Sequence, residues 1–235
     1  KRLFTNNWQD ELWLVAGGIF GGSLYFFTEN TALGITQASN VSFIICTAPL
    51  LTTILSLLFY KSEKASKGLI YGSLLALMGV GLIVFNGSFV LKISPIGDLL
   101  TLLAALSWAF YSLIIKKMAG RYPTIFITRK IFFYGVLTIL PAFLLHPLHP
   151  DTAVLLQPAV LFNLLFLAVL ASLICYVLWN VVLKQLGTVR ASNYIYLNPL
   201  VTMIASFLIL DEKITLVALG GAACIVCGVY WAEKK

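Results

Sequence analysis

Charge is what this sequence has least of. Only 11% of its 235 residues are Asp, Glu, Lys or Arg, while 60% are hydrophobic and the mean hydropathy is +0.95. Soluble domains carry roughly a quarter charged residues, so the chain reads as a membrane protein. Cysteine is also sparse. Cys46, Cys175, Cys224 and Cys227 all fall in apolar stretches, where they act as small hydrophobes and form no disulfide framework. The Cys224-x-x-Cys227 spacing resembles a redox motif but lacks a βαβ setting. His146 and His149, in "HPLHPD", have no further ligands around them, so no metal and no cofactor is expected. A G-x-x-x-x-G-K-[ST] loop is missing, which excludes ATP coupling of that type within this chain. No cleavable signal segment is visible, and the chain begins with Lys1. Nor is there a nucleophile–base pair of the kind an enzyme needs; Glu29 is the isolated acid well inside an apolar run.

What is present is a series of apolar runs. They cover residues 12–33, 37–60, 68–87, 97–115, 125–145, 159–183, 191–210 and 214–232, here called spans A to H. Most are close to the roughly 20 residues that a helix needs to cross a bilayer core. The connections are too short for a soluble domain. The expected fold is therefore an all-α, multi-pass transmembrane helical bundle.

The net charge of +7 does not imply nucleic acid, because the basic residues are sorted by side. With Lys1 in the cytoplasm, the loops on that side hold Lys1, Arg2, Lys61, Lys64, Lys67, Lys116, Lys117, Arg121, Arg129, Lys130, Lys184, Arg190, Lys234 and Lys235, leaving only Lys92 and Lys213 opposite. Such a bias orients multi-pass proteins and places both ends of this chain in the cytoplasm. Arg129 and Lys130 are expected to snorkel to that interface, and Trp8 and Trp231 to lie in aromatic belts.

A repeat organises the spans. Displaced by 150 residues, the chain matches itself without a gap at Asn30/Asn180, Leu33/Leu183, Ser42/Ser192, Ile45/Ile195, Pro49/Pro199, Leu50/Leu200, Thr52/Thr202, Ile54/Ile204, Ser56/Ser206 and Leu58/Leu208. After a one-residue deletion the matches continue at Glu63/Glu212, Lys64/Lys213, Gly72/Gly221, Gly79/Gly228 and Val80/Val229. Spans A, B and C thus recur as F, G and H. Each helix is five crossings from its counterpart, and an odd number means that the copies face opposite ways. Inverted repeats of this kind build many secondary transporters, with the substrate near the midplane between halves. Spans D and E lack partners, so ten helices in two five-helix repeats are expected, eight of them here: the last three of a first repeat in residues 1–87 and all five of a second in 88–235. Pro49 and Pro199 break the helical pattern at equivalent places, freeing the carbonyls of Ile45 and Ile195 and suiting a gate.

The stretches "TALGITQASNVSFIICTAPLLTTILSLLFYKSEKASKGLIYGSLLALMGVGLIVF" and "VVLKQLGTVRASNYIYLNPLVTMIASFLILDEKITLVALGGAACIVCGVYW" resemble the repeated EamA module of the drug/metabolite transporter superfamily. They share its small-residue helix start, central proline, acidic-Lys turn and Gly-rich last helix. "GDLLTLLAALSWAFYSLIIKK" looks like the start of that family's second module. The resemblance implies a ten-helix bacterial inner-membrane carrier, mostly exporting small metabolites such as amino acids, or drugs. Proton coupling, a channel-like permease, a facilitative exchanger and a monomeric or homodimeric state all remain open at this point.

Polar and aromatic side chains inside the spans are the candidate substrate contacts. Gly18, Gly22, Tyr25 and Glu29 follow one face of A, with Asn30 beside it; B offers Ser42, Phe43 and Cys46; D offers Trp108, Tyr111 and Ser112. Span F adds Tyr176, Trp179 and Asn180, and G adds Asn193, Tyr196 and Asn198 ahead of Pro199. A cavity with aromatic walls and few hydrogen-bonding groups suits a small amphipathic solute. The bland account is that these rings form interfacial belts and the polar groups bond neighbouring helices. The glycines of C and H, Gly68, Gly72, Gly79, Gly81, Gly220, Gly221 and Gly228, are expected to permit close packing.

Overall fold

The computed structural model of the protein describes residues 4–60, 66–85, 94–145, 152–210 and 214–234. Lys61, Lys64, Lys92, His146, His149, the turn at Glu212 and Lys213, and the terminal Lys1, Arg2 and Lys235 lie outside the described residues. Among those described, all regular structure is helical.

Span A is α1 (Trp8–Gly18), a π-helical turn (Ile19–Ser23) and α2 (Leu24–Ile35) in one continuous rod. Asn7 starts it by accepting a hydrogen bond from the Asp10 amide. Span B divides into α3 (Ala38–Ile45) and α4 (Ala48–Phe59), C is α5 (Lys67–Phe85), D is α6 (Pro95–Ala119) and E is α7 (Thr124–Leu145). Helix α6 opens with Pro95, whose missing N–H costs nothing in a first turn, and closes on Lys116 and Lys117, which suit the negative end of its dipole. After a short turn, α8 (Thr152–Leu155), span F runs through α9 (Pro158–Leu165), a π-helical stretch (Phe166–Ile174) and α10 (Cys175–Leu186). It ends at Gly187, whose φ of +81° suits glycine. Span G is α11 (Thr188–Asn193), a 3-10 turn (Tyr194–Leu197) and α12 (Asn198–Leu210), and H is α13 (Leu216–Glu233).

Among the described residues, six stretches are long and apolar enough to cross a membrane: Ala38–Phe59, Lys67–Phe85, Pro95–Ala119, Thr124–Phe143, Pro158–Leu186 and Leu216–Glu233. The two other runs, 8–35 and 188–210, are helical throughout; the first contains a π-helical turn and the second a 3-10 turn. The protein is a multi-pass helical membrane bundle.

The repeat is visible in the irregularities. The π-helical turn at Ile19–Ser23 has its counterpart, 150 residues on, inside the π-helical stretch Phe166–Ile174. The break between α3 and α4 at Cys46 and Thr47 likewise falls opposite the 3-10 turn Tyr194–Leu197. Each proline then occupies the second residue of a fresh helix, where a missing N–H is harmless, instead of kinking a continuous one. The expected free carbonyl at Ile195 does not exist: the 3-10 turn lets it accept a bond from the Asn198 amide.

Helices α5 and α13 are repeat equivalents, and they pack against each other antiparallel. A Cβ added to Gly79 would lie 2.5 Å from the Gly221 carbonyl oxygen, and one added to Gly228 would lie 2.5 Å from that of Gly72. Because Gly72 corresponds to Gly221 and Gly79 to Gly228, these two contacts are images of each other under a local two-fold. Antiparallel packing of equivalent helices means that the copies are inverted. Gly220, in contrast, has nothing within 4 Å and takes no part.

Candidate functional site

The candidates from sequence fall into two groups. The first surrounds Trp108 on α6. Its ring centroid lies 5.2 Å from Tyr25 on α2, 5.2 Å from Tyr111, 5.7 Å from Tyr176 and 5.8 Å from Trp179, the last two on α10. These spacings are those of rings in mutual contact. One helical turn along α2, Glu29 accepts a hydrogen bond of 2.9 Å from the Tyr25 hydroxyl. Tyr111 donates to Asn180 at 2.7 Å, and Asn180 donates on to Thr128 of α7 at 2.9 Å. The Tyr176 hydroxyl donates to the carbonyl of Gly21 at 2.7 Å, inside the π-helical turn. Gly21 itself lies under the Tyr111 ring, where any side chain would collide. The π-helical turn therefore brings span A within reach of D and F at one depth.

Two polar atoms in this group have no partner among the described residues. The indole N–H groups of Trp108 and Trp179 are buried and unbonded. A buried donor left unpaired is costly, so these two orphaned donors, in the aromatic group that Tyr25 joins to Glu29, mark a site with unused hydrogen-bonding capacity.

The second group is separate. Phe43, Cys46 and Tyr196 pack with Ala76, Val80 and Ile225 in a core built on α5 and α13. Asn193 is fully buried and accepts from Ser73 at 3.3 Å. The Ser112 hydroxyl bonds back to the Trp108 carbonyl of its own helix at 2.9 Å. Asn30, Ser42 and Asn198 are exposed. Pro49 and Pro199 are both buried, at the starts of α4 and α12.

The structure also contains a charged cluster that the sequence did not suggest. Lys130 does not snorkel: it is 6% exposed and pairs with Glu11 of α1, to which Tyr134 also donates. One residue earlier, Asp10, 3% exposed, accepts from Arg121 at 2.5 Å and from the Tyr122 hydroxyl at 2.8 Å. These two pairs tie the start of span A to α7 and the loop before it. Arg129 remains exposed, as do Trp8 and Trp231. The available signal was the adjacent acids Asp10 and Glu11 at the mouth of an apolar run on the chain's basic side, where burial requires opposite charges.

Comparison with known proteins bears on what such a bundle does. The sequence profile of the EamA-like transporter family matches residues 1–85 and again 95–232. The chain belongs to the EamA-like transporter family. An uncharacterized transporter of Archaeoglobus fulgidus is 30% identical over 217 residues, covering 92% of this chain and 73% of the relative. A probable amino-acid metabolite efflux pump of Salmonella typhimurium is 29% identical over 182 residues, 73% of this chain and 60% of that protein. A crystal structure at 19% identity superposes with a TM-score of 0.80 over 97% of this chain and 77% of its own, which speaks for the fold alone. As a member of this family the chain is a membrane transporter, and as such handles a small molecule.

Proposed function

We propose that this protein is a secondary transporter that exports small amphipathic metabolites, such as amino acids, by alternating access between its inverted halves. The observation that carries the reading is the pairing of Glu29 and Tyr25 at the edge of the aromatic group around Trp108, where spans A, D and F converge. A carboxylate with aromatic walls suits a solute that has both an ammonium group and an apolar body. The orphaned Trp108 and Trp179 donors suit its carboxylate. Because the rings touch, a solute has to part them, which suits a carrier that closes around its cargo better than an open pore.

In this reading Glu29 binds a substrate amine or carries a coupling proton. Both ends of the chain face the cytoplasm of a bacterial inner membrane, residues 1–87 form the last three helices of one module and 88–235 the five helices of a second, inverted one, and the protein acts as monomer or homodimer. The relatives named as efflux pumps support export. Counterflow in proteoliposomes tests the function: a carrier exchanges labelled for unlabelled solute, a channel only dissipates the gradient, and an enzyme changes the solute.

A further inference from the structure

Three buried polar side chains close one end of the aromatic group. Tyr111 donates to the Asn180 side-chain oxygen at 2.7 Å, the Asn180 amide donates to the Thr128 hydroxyl at 2.9 Å, and that hydroxyl donates in turn to the Thr124 carbonyl at 3.0 Å. Every donor points the same way along this row, which fixes the orientation of each group. Asn180 thereby ties α10 to α6 and α7 at once.

The bridge lies between the Trp108 rings and the end of the bundle where α6 and α10 finish and α7 begins, the cytoplasmic end in the orientation proposed above. Tyr111 is eight residues from the end of α6, Asn180 six from the end of α10 and Thr128 four from the start of α7. At 1.5 Å per residue that is about 6–12 Å inside the bundle. Nearer the end than the bridge, Ile115, Met118, Ile127 and Leu183 are all buried in one cluster with Tyr111. The aromatic group is therefore sealed on this side.

Helix α10 is bounded by two irregular joints. The π-helical stretch Phe166–Ile174 precedes it, and Gly187, with φ +81° and open space around it among the described residues, follows. Its counterpart 150 residues earlier, α2, also follows a π-helical turn. Along its length α10 buries Tyr176, Asn180 and Leu183, which lie on one face. The Tyr176 hydroxyl also holds it, through the Gly21 carbonyl. A short rod gripped on one face between two such joints is built to swing as a unit.

We propose that Asn180 is the positioning residue of an inner gate. Bonded to Tyr111 and Thr128, it holds α10 against α6 and α7 and shuts the aromatic site from the cytoplasm; released, it lets α10 swing out about the π-helical stretch and Gly187. This role rests on the carrier reading above, since a carrier has to open its site to each side in turn. Asn180 acts through α10 and needs no contact with the solute.

The test is a distance measurement on the full chain in a cysteine-free background, by double electron–electron resonance between nitroxides on the exposed positions Lys184→Cys of α10 and Ile125→Cys of α7. Asn180→Ala and Thr128→Val should each raise the share of a discrete longer distance about tenfold relative to the shorter one, the scale of one buried hydrogen bond. Thr128→Ser keeps the accepting hydroxyl and should match wild type. A control pair on α5 and α13, Tyr71→Cys and Tyr230→Cys, should not move. An unchanged distance in either severing variant would overturn the proposal, as would Thr128→Ser behaving like Thr128→Val. Broadening without a discrete second distance, or a change at the control pair, would also overturn it by showing loosened packing instead of a gate. If Asn180→Ala fails to fold by circular dichroism, Thr128→Val, nearly equal in volume to the residue it replaces, decides alone. No solute enters the measurement, so its failure removes the gate, whereas failed counterflow removes the carrier reading.

Discussion

Gly228 lies against the backbone of Gly72, so close that a Cβ on Gly228 would stand 2.5 Å from the Gly72 carbonyl oxygen. With its image at Gly79 and Gly221, this contact fastens the two inverted halves along α5 and α13. Neighbouring glycines in α13 give a direct comparison. Alanine normally improves a helix, so Gly220→Ala, with open space around it, should leave stability unchanged or slightly raised. Gly221→Ala should lower it by about 1–3 kcal/mol, because its Cβ would meet backbone. Thermal unfolding of the two purified variants measures the difference.

The buried Glu11–Lys130 pair predicts a different pattern. Removing one partner leaves the other charge buried and uncompensated, so Glu11→Gln or Lys130→Met alone should cost about 3–5 kcal/mol. Replacing both by apolar residues should recover most of the loss. The same unfolding experiment, as a double-mutant cycle, reads the coupling; additive losses would mean that the pair is not a unit.

That pair shows where sequence reasoning stopped. The helices, their order and the repeat were legible because apolar run length and the 150-residue offset are local or self-referential signals. Asp10 and Glu11 were not, since their partners lie more than 110 positions away and nothing in the sequence ties them together. The π-helical turns at Ile19–Ser23 and Phe166–Ile174 escaped for another reason: a π turn changes one hydrogen-bond register without changing composition. Of the candidate contacts, Tyr25, Glu29, Trp108, Tyr111, Tyr176, Trp179 and Asn180 meet in space, whereas Phe43, Cys46 and Tyr196 enter the core around α5 and α13. Helical facing identifies an inward side chain, but which of two interiors it enters is a property of the packing.

The paired helix breaks predict an effect on transport more than on folding. Pro49 and Pro199 occupy second positions of helices that start afresh, so Pro49→Ala and Pro199→Ala remove little packing and should change stability by less than about 1 kcal/mol. Restoring an amide donor lets the helix extend backward across the break. Exchange rates should fall at least severalfold in proteoliposomes. Full transport by both variants would make the breaks purely architectural.

Orientation is open to direct labelling. In a cysteine-free background, a single cysteine at exposed Gln157 should react with an impermeant maleimide on intact cells, and one at exposed Ser66 only after lysis. The reverse pattern would remove the cytoplasmic placement of both ends.

The central claim is that the Glu29 carboxylate, held by Tyr25 beside the Trp108 rings, takes part in each transport cycle. Glu29→Gln keeps the shape and the possible bond to Tyr25 while removing the charge and the titration. The deciding measurement is counterflow by wild type and Glu29→Gln in proteoliposomes between pH 5 and pH 8, with amino acids as the first solutes and circular dichroism to verify the fold. The account predicts that the variant folds normally and loses at least about tenfold in exchange, the scale of one charge-assisted contact, or keeps exchange but loses its pH dependence. Wild-type exchange with an unchanged pH profile would contradict it and return Glu29 to a structural role.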